Sequence, residues 1–218
     1  MPRDRRTLEK EFQELRITSF NDQMNAHFVF NALNGIQYFI TVDNKKEALS
    51  HLSTFGKLIR LYLKGIQNET VLLSDEIKIM EEYLKLQQLR HKELSQSYIN
   101  IEMPTQNLQS RIPPYMLSML FENIIEEIIS DVANNYNLTL YLNIESDSVK
   151  AVLKIRTLSK EKEYQFSSAI NNRLKSWKDK IDNLNKLKPY DVHLNTWVSS
   201  EAAEFDKFVQ LKLPNLNN

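Results

Sequence analysis

Apolar residues in the first third of the chain recur at the spacing of an α-helix. The pattern opens at Leu8 and continues to about Ile40. A second helix follows, with Asp43 as its expected cap and an end near Gly65. Its apolar positions are Ala48, Leu52, Phe55, Ile59, Tyr62 and Leu63. Because both helices carry apolar residues on more than one side, we predict a helical hairpin that dimerises into a four-helix bundle; an intramolecular bundle is the alternative.

From residue 71 onward the hydrophobic period alternates between helix and strand. Ser74 is the expected cap of a third helix, with Asp75 and Glu76 in its first turn, where carboxylates are favourable. After it we predict a strand over Ser97–Met103, a helix opened by Pro113 and Pro114, paired strands around Leu138–Ile144 and Val149–Ile155, a helix from Phe166 to Leu184, and strands over Val192–Val198 and Phe205–Leu213. This order predicts an α+β sandwich with the helices on one face of the sheet.

The composition is that of a globular chain without a disulfide or metal framework. Of the 218 residues, 42% are apolar and 26% charged, and the formal net charge is zero, which gives no argument for nucleic acid or an anionic membrane. The absence of cysteine excludes disulfides and fits a reducing compartment. The four histidines have no metal-ligand spacing, and no apolar run reaches the ~18 residues of a membrane helix.

The most distinctive stretch surrounds His27 in the first predicted helix. Asn25, Asn31 and Asn34 accompany it, and His27, Asn31 and Asn34 share one polar stripe of the helix. A second, apolar stripe contains Phe28, Ala32, Ile36 and Phe39. A neutral histidine is a competent nucleophile through a ring nitrogen, although an isolated histidine is more often structural.

Residues 23–36 as a whole resemble the phosphoacceptor motif of the LytS-type sensor histidine kinases, Gln-Ile-Asn-Pro-His-Phe-Leu-Phe-Asn-x-Leu-Asn-x-Ile. Ala26 stands where the family has proline. The run from Tyr83 to Arg90 is similar to the family's Tyr-Leu-x-Ile-Gln-x-x-Arg. The resemblance implies a dimerisation and phosphoacceptor region over residues 1–70 and an ATPase-like domain over residues 71–218, with His27 as the phosphoacceptor.

A further segment, Ile112 to Asn123, resembles the family's Ile-Pro-Pro-x-x-Leu-Gln-Pro-Leu-Val-Glu-Asn. In working kinases of the family the glutamate helps to activate the histidine, and the asparagine holds the magnesium that bridges the ATP phosphates. The resemblance implies these roles for Glu122 and Asn123. A carboxylate can accept a proton, and an amide oxygen suits a hard cation, so both roles are chemically sensible.

The other nucleotide-binding motifs of the family are replaced. The family's Ala-Ile-Lys-His-Gly becomes a segment with Glu126 and Glu127, whose charges would repel a triphosphate. Its Asp-x-Gly-x-Gly is missing between residues 155 and 163, and all three glycines of the chain precede residue 66, although Arg173 survives from a later motif. We therefore predict that Mg-ATP, the family's cofactor, is not bound and that Glu122 and Asn123 are relics or local caps.

Three functions stay open. The first is a degenerate histidine kinase in two-component signalling, a homodimer whose His27 accepts phosphate from a partner kinase or a response regulator. The second is an active ATP-dependent autokinase with an atypical pocket. The third is a non-catalytic scaffold that docks a response regulator or pairs with an active kinase. We expect a cytoplasmic location, as a soluble member or as part of a sensor whose membrane segments lie outside this chain; lysines 175–188 alternate with aspartates and predict a solvated face, not nucleic-acid contact.

Overall fold

The computed structural model describes residues 26–66, 68–91, 98–102, 108–130, 136–157, 163–188, 190–201 and 204–217. Its helices are α1 (Ala26–Thr41), α2 (Lys45–Ile66), α3 (Leu73–Arg90), α4 (Met116–Ser130) and α5 (Glu163–Leu187). Its strands are β1 (Val71–Leu72), β2 (Tyr98–Glu102), β3 (Arg111–Ile112), β4 (Tyr136–Ile144), β5 (Ser148–Thr157), β6 (His193–Glu201) and β7 (Glu204–Pro214). No helix in these ranges combines the length and apolarity needed to cross a bilayer.

Helices α1 and α2 form the predicted hairpin from residue 26 onward; the earlier part of the first predicted helix, from Leu8, lies outside the described residues. The cap between the two helices is Asn44 and not Asp43. The Asn44 side-chain oxygen accepts a hydrogen bond from the backbone N–H of Glu47 at 3.3 Å. Asp43 takes a φ of 54°, a left-handed conformation that aspartate tolerates, and its N–H donates to the Ile40 carbonyl at the end of α1. The expectation for Asp43 was wrong because the chain needs one residue to reverse its direction before α2 can begin.

The start of α3 differs from the expectation in a similar way. The helix begins at Leu73, and its N-cap residue Leu72 makes no side-chain hydrogen bond, so Ser74 is not the cap. The N–H groups of Leu73 and Ser74 donate instead to the carbonyls of Ser110 and Leu108. The two-residue strands β1 and β3, which pair Val71 with Ile112, hold these segments together. Such short strands carry no alternation that a sequence pattern could reveal.

The larger sheet has the strand order β2-β4-β5-β7-β6 and confirms the predicted α+β arrangement. Strands β2 and β4 are parallel, and the remaining neighbours are antiparallel. Alternate residues of the central strands point into one buried layer, including Leu138, Leu140, Leu153, Ile155, Val209 and Leu211. The predicted stripe of α5 is buried at Ile170, Leu174, Trp177, Ile181 and Leu184.

The core extends from the sandwich into the hairpin. Leu58 and Tyr62 of α2 are fully buried and belong to the same cluster as Ile77 of α3 and Leu117 of α4. Helix α3 therefore packs between the hairpin and the sandwich and positions both. A division of the chain near residue 70 stays a prediction.

Candidate functional site

His27 is the second residue of α1, and its backbone lies one helical turn before Asn31. Its side chain, and the whole of Asn25, lie outside the described part of the structure. Asn31 is half-buried and Asn34 is exposed. The helix that resembles the phosphoacceptor segment is thus formed, and two of its three asparagines can be placed.

The apolar stripe of α1 anchors this helix to its neighbours. Ala32 and Phe39 are buried. The Phe28 ring lies 6.2 Å from the Tyr83 ring of α3, nearly parallel to it, and 6.1 Å from the Phe55 ring of α2. These contacts confirm that the two stripes of α1 face different environments.

A cavity of about 460 Å³ lies between α1 and the C-terminal end of α3. It is lined by Asn31, Asn34, Gly35, Tyr38, Phe39, Leu89 and Arg90. Arg90, the last residue of the Tyr83–Arg90 run, is exposed and forms no ion pair within the described ranges. Asn31 and Asn34, singled out from the sequence, thus share a concave polar site with a cation.

His51 of α2 lies directly behind Gly35 and was not singled out from the sequence. Its ring is fully buried, and neither ring nitrogen has a hydrogen-bond partner among the described residues. Burial, and then the charge of Arg90, lower the pKa of His51 below its usual value. A Cβ atom on Gly35 would come within 2.7 Å of the His51 ring, so glycine is required at this approach. The position of His51 on the buried face of α2 was the available signal.

Glu122 lies in α4 and is hydrogen-bonded to a residue of the helical hairpin. Its side chain is only 8% exposed, and it accepts a hydrogen bond from the Tyr62 hydroxyl. Burial raises the pKa of Glu122 to about 8, against the lowering effect of the Tyr62 hydrogen bond. The group is therefore mostly protonated at neutral pH. The neighbouring Asn123 donates its side-chain amide to the Met119 carbonyl at 2.8 Å, within α4 itself.

A second buried carboxylate, Glu76 of α3, fixes the beginning of α4. Its oxygens accept hydrogen bonds from the backbone N–H groups of Tyr115 at 2.8 Å and Ser118 at 2.9 Å. Tyr115 has a φ of 64° and donates its hydroxyl to the Tyr62 carbonyl. Glu76 was expected to favour the first turn of its own helix. It lies in that turn and, in addition, caps another helix, which no local pattern could reveal.

Glu126 and Glu127 meet Arg173 of α5. The guanidinium lies 3.2 Å from the Glu126 carboxylate and also donates to Glu127. These carboxylates, expected beside a triphosphate, thus join α4 to α5. Within the described residues, no three acidic or histidine side chains are grouped so that they could hold a metal ion.

Comparison with known proteins gives a consistent family match. The model of the family described as histidine kinase matches residues 15–95, which include α1, α2 and α3. The sensor protein LytS of Staphylococcus saprophyticus is 34% identical over 116 residues, which cover 52% of this chain and 19% of that protein. LytS of Enterococcus faecalis is 31% identical over 126 residues, 58% of this chain and 21% of that protein. The chain spans about a fifth of the length of these relatives.

Solved structures give a weaker match. The catalytic domain of histidine kinase ThkA has a TM-score of 0.42 and 9% identity, covering 67% of this chain and 95% of that domain. A bacterial phosphotransferase has a TM-score of 0.43 and 8% identity, covering 96% of this chain and 98% of that structure.

Proposed function

The chain belongs to the LytS-type sensor histidine kinase family, and from this premise we propose that it serves two-component signalling as a phosphoacceptor that does not bind ATP itself. In this proposal His27 receives the phosphoryl group on a ring nitrogen. The group comes from a partner histidine kinase or from a phosphorylated response regulator. The absence of cysteine agrees with a reducing, cytoplasmic setting.

The observation that carries the proposal is the set of hydrogen bonds and ion pairs made by the polar side chains of α4. Glu122 is bound by Tyr62, and the Asn123 amide nitrogen is bound within the helix. Glu126 and Glu127 are joined to Arg173, the arginine that the family shares. The three carboxyl groups of α4 that would lie near a nucleotide are thus committed to contacts inside the protein, and a buried, largely protonated Glu122 is a poor base for His27.

The hairpin supports a homodimer as the working form. Helix α1 exposes Phe30, which is 62% exposed, together with Leu33 and Ile40. Helix α2 exposes an apolar face that contains Leu49, Leu52 and Leu63. A second copy of the hairpin would cover these faces and give the four-helix bundle.

Phosphotransfer to the purified protein tests the proposal. A phosphorylated response regulator or an active partner kinase is mixed with the wild-type chain and with His27→Ala, and acid-labile phosphate on the chain is measured. We expect transfer to the wild type and none to the variant. If neither chain is labelled, while His27→Ala still supports signalling output, the chain is a scaffold and the proposal fails.

A further inference from the structure

His51 of α2 is buried against α1 with both of its ring nitrogens unpaired. The side chain is 0% exposed, and neither nitrogen has a hydrogen-bond partner among the described residues. A Cβ atom on Gly35 would lie 2.7 Å from Cε1 and 2.9 Å from Nε2 of the ring, so the imidazole packs directly on the backbone of α1. The Phe39 ring of the same helix lies 5.9 Å away, between ring centroids. His51 therefore holds the hairpin together as an apolar group would.

The charged groups around His51 oppose its protonation. Helix α1 presents Gly35 and Phe39, and neither carries a charge. Burial, and then the positive charge of Arg90 on α3, lower the pKa of His51. On α2 itself, Glu47 stands one turn earlier and is exposed. Within the described residues, no carboxylate accepts a hydrogen bond from the ring.

A protonated His51 has no favourable place inside the hairpin. An imidazolium carries two N–H donors, and burying such a charge without acceptors costs far more than burying the neutral ring. The ring can reach water only if the residues packed on it move away. Because those residues are Gly35 and Phe39, the movement separates α1 from α2.

We propose that His51 makes the hairpin pH-sensitive: the neutral ring packs α1 on α2, and protonation of the ring releases α1 at Gly35 and Phe39. Helix α1 contains the segment that resembles the phosphoacceptor motif, and it also exposes Phe30 and Leu33. Release therefore changes the surface on which both phosphotransfer and dimerisation would depend. The inference is independent of the proposed function, because it needs only the packing of α1 on α2.

Acidification is the direction of release. The pKa of His51 in the closed hairpin lies below 6.5, the value of the free side chain, so the opened hairpin binds a proton that the closed one does not. The stabilisation by the neutral ring is complete above pH 6.5 and is lost as the pH falls below it, toward the pKa of the closed hairpin. Burial raises the pKa of Glu122 and of Glu76, so these groups act in the opposite sense on global unfolding. A local measurement on α1 is therefore needed.

Amide hydrogen exchange of α1, followed by NMR between about pH 5 and about pH 7.5, tests the proposal. Protection factors, corrected for the intrinsic exchange rate, should fall around Phe39 on acidification, by up to about tenfold for each unit by which the pKa of His51 is lowered. The amides of β5 should lose no protection. His51→Leu fills the site without titrating and should abolish the fall, and His51→Phe is the second variant if the first does not fold. His193→Gln removes an exposed histidine of β6, outside the hairpin, and should behave as the wild type.

Each other outcome overturns the proposal. Equal protection of α1 at the two pH values in the wild type shows that protonation does not release the helix. A fall that persists in His51→Leu or His51→Phe belongs to another group, and an equal fall in β5 is global unfolding. If neither variant folds, the NMR titration of the His51 ring in the wild type decides. A midpoint below 6.5 that coincides with the loss of protection in α1 supports the proposal, whereas a ring that titrates without that loss, or does not titrate over this range, contradicts it.

Discussion

The Tyr62 hydroxyl donates a buried hydrogen bond to the carboxyl group of Glu122, and this bond joins the helical hairpin to α4. The two residues are 60 positions apart in sequence. A second hydrogen bond, from the Tyr115 hydroxyl to the Tyr62 carbonyl, joins α2 to the residue directly before α4. The hairpin is therefore attached to the sandwich through Glu122, which stands at the position of the glutamate in the motif that Ile112–Asn123 resembles.

Tyr62→Phe removes the partner of Glu122 and leaves a buried carboxyl group without its donor. We predict a loss of about 1–3 kcal/mol in the free energy of unfolding, measured by urea denaturation. Tyr38→Phe is the matched control, because Tyr38 is 62% exposed and should tolerate the change. Equal stability of the two variants would show that the Tyr62 bond contributes nothing.

Glu122 also makes stability depend on pH. Its pKa is about 8 in the folded protein against 4.5 for an ordinary glutamate, so the folded state holds a proton that the unfolded state releases. The contribution of Glu122 to the free energy of unfolding should therefore be complete below about pH 4.5 and should be lost as the pH rises to about 8. The slope of this loss should be at most about 1.4 kcal/mol per pH unit. Burial raises the pKa of Glu76 and adds a slope of the same sign.

Glu122→Gln should flatten this part of the profile, because the amide keeps the shape and the acceptor for Tyr62 without titrating. The measurement is urea unfolding at intervals between pH 5 and 9. An unchanged slope in the variant would assign the dependence to other groups.

Gly35→Ala should destabilise the hairpin, because the new methyl group would lie 2.7 Å from the buried His51 ring. We predict a loss of about 1–3 kcal/mol in thermal or urea unfolding. Gly56→Ala is the control within α2, since its Cβ would meet no atom within 4 Å, and it should stabilise the helix by up to about 1 kcal/mol. The double variant Gly35→Ala with His51→Ala should recover stability if the clash is the cause.

The exposed apolar face of α2 should carry the dimer contact. Leu52→Glu places a charge on that face, and we predict a shift from dimer to monomer in sedimentation equilibrium with an unchanged circular dichroism spectrum. Val198→Glu, at an exposed apolar position on β6, is the control and should leave the dimer intact. A wild-type chain that is monomeric at all concentrations tested would contradict the bundle.

The fold could be predicted from sequence where burial follows a regular period. The stripe of α5 and the alternation of β4 and β5 are examples, since their buried apolar positions repeat at the spacing of the element. The Asn44 cap was missed because Asp43, directly before it, offers the same capping chemistry. The bonds of Glu76 to Ser118 and of Tyr62 to Glu122 join distant segments, and such contacts leave no local pattern. In the candidate site, Asn31, Asn34, Glu122 and Asn123 were singled out from the sequence, whereas the buried His51 and the bond from Tyr62 to Glu122 were not.

Isothermal titration calorimetry with Mg-ATP tests the central claim most directly. The folded wild-type chain should give no saturable heat up to millimolar nucleotide, because the polar groups of α4 are committed to Tyr62 and Arg173. Saturable binding with a submillimolar dissociation constant would contradict this claim and favour an active autokinase with an atypical pocket.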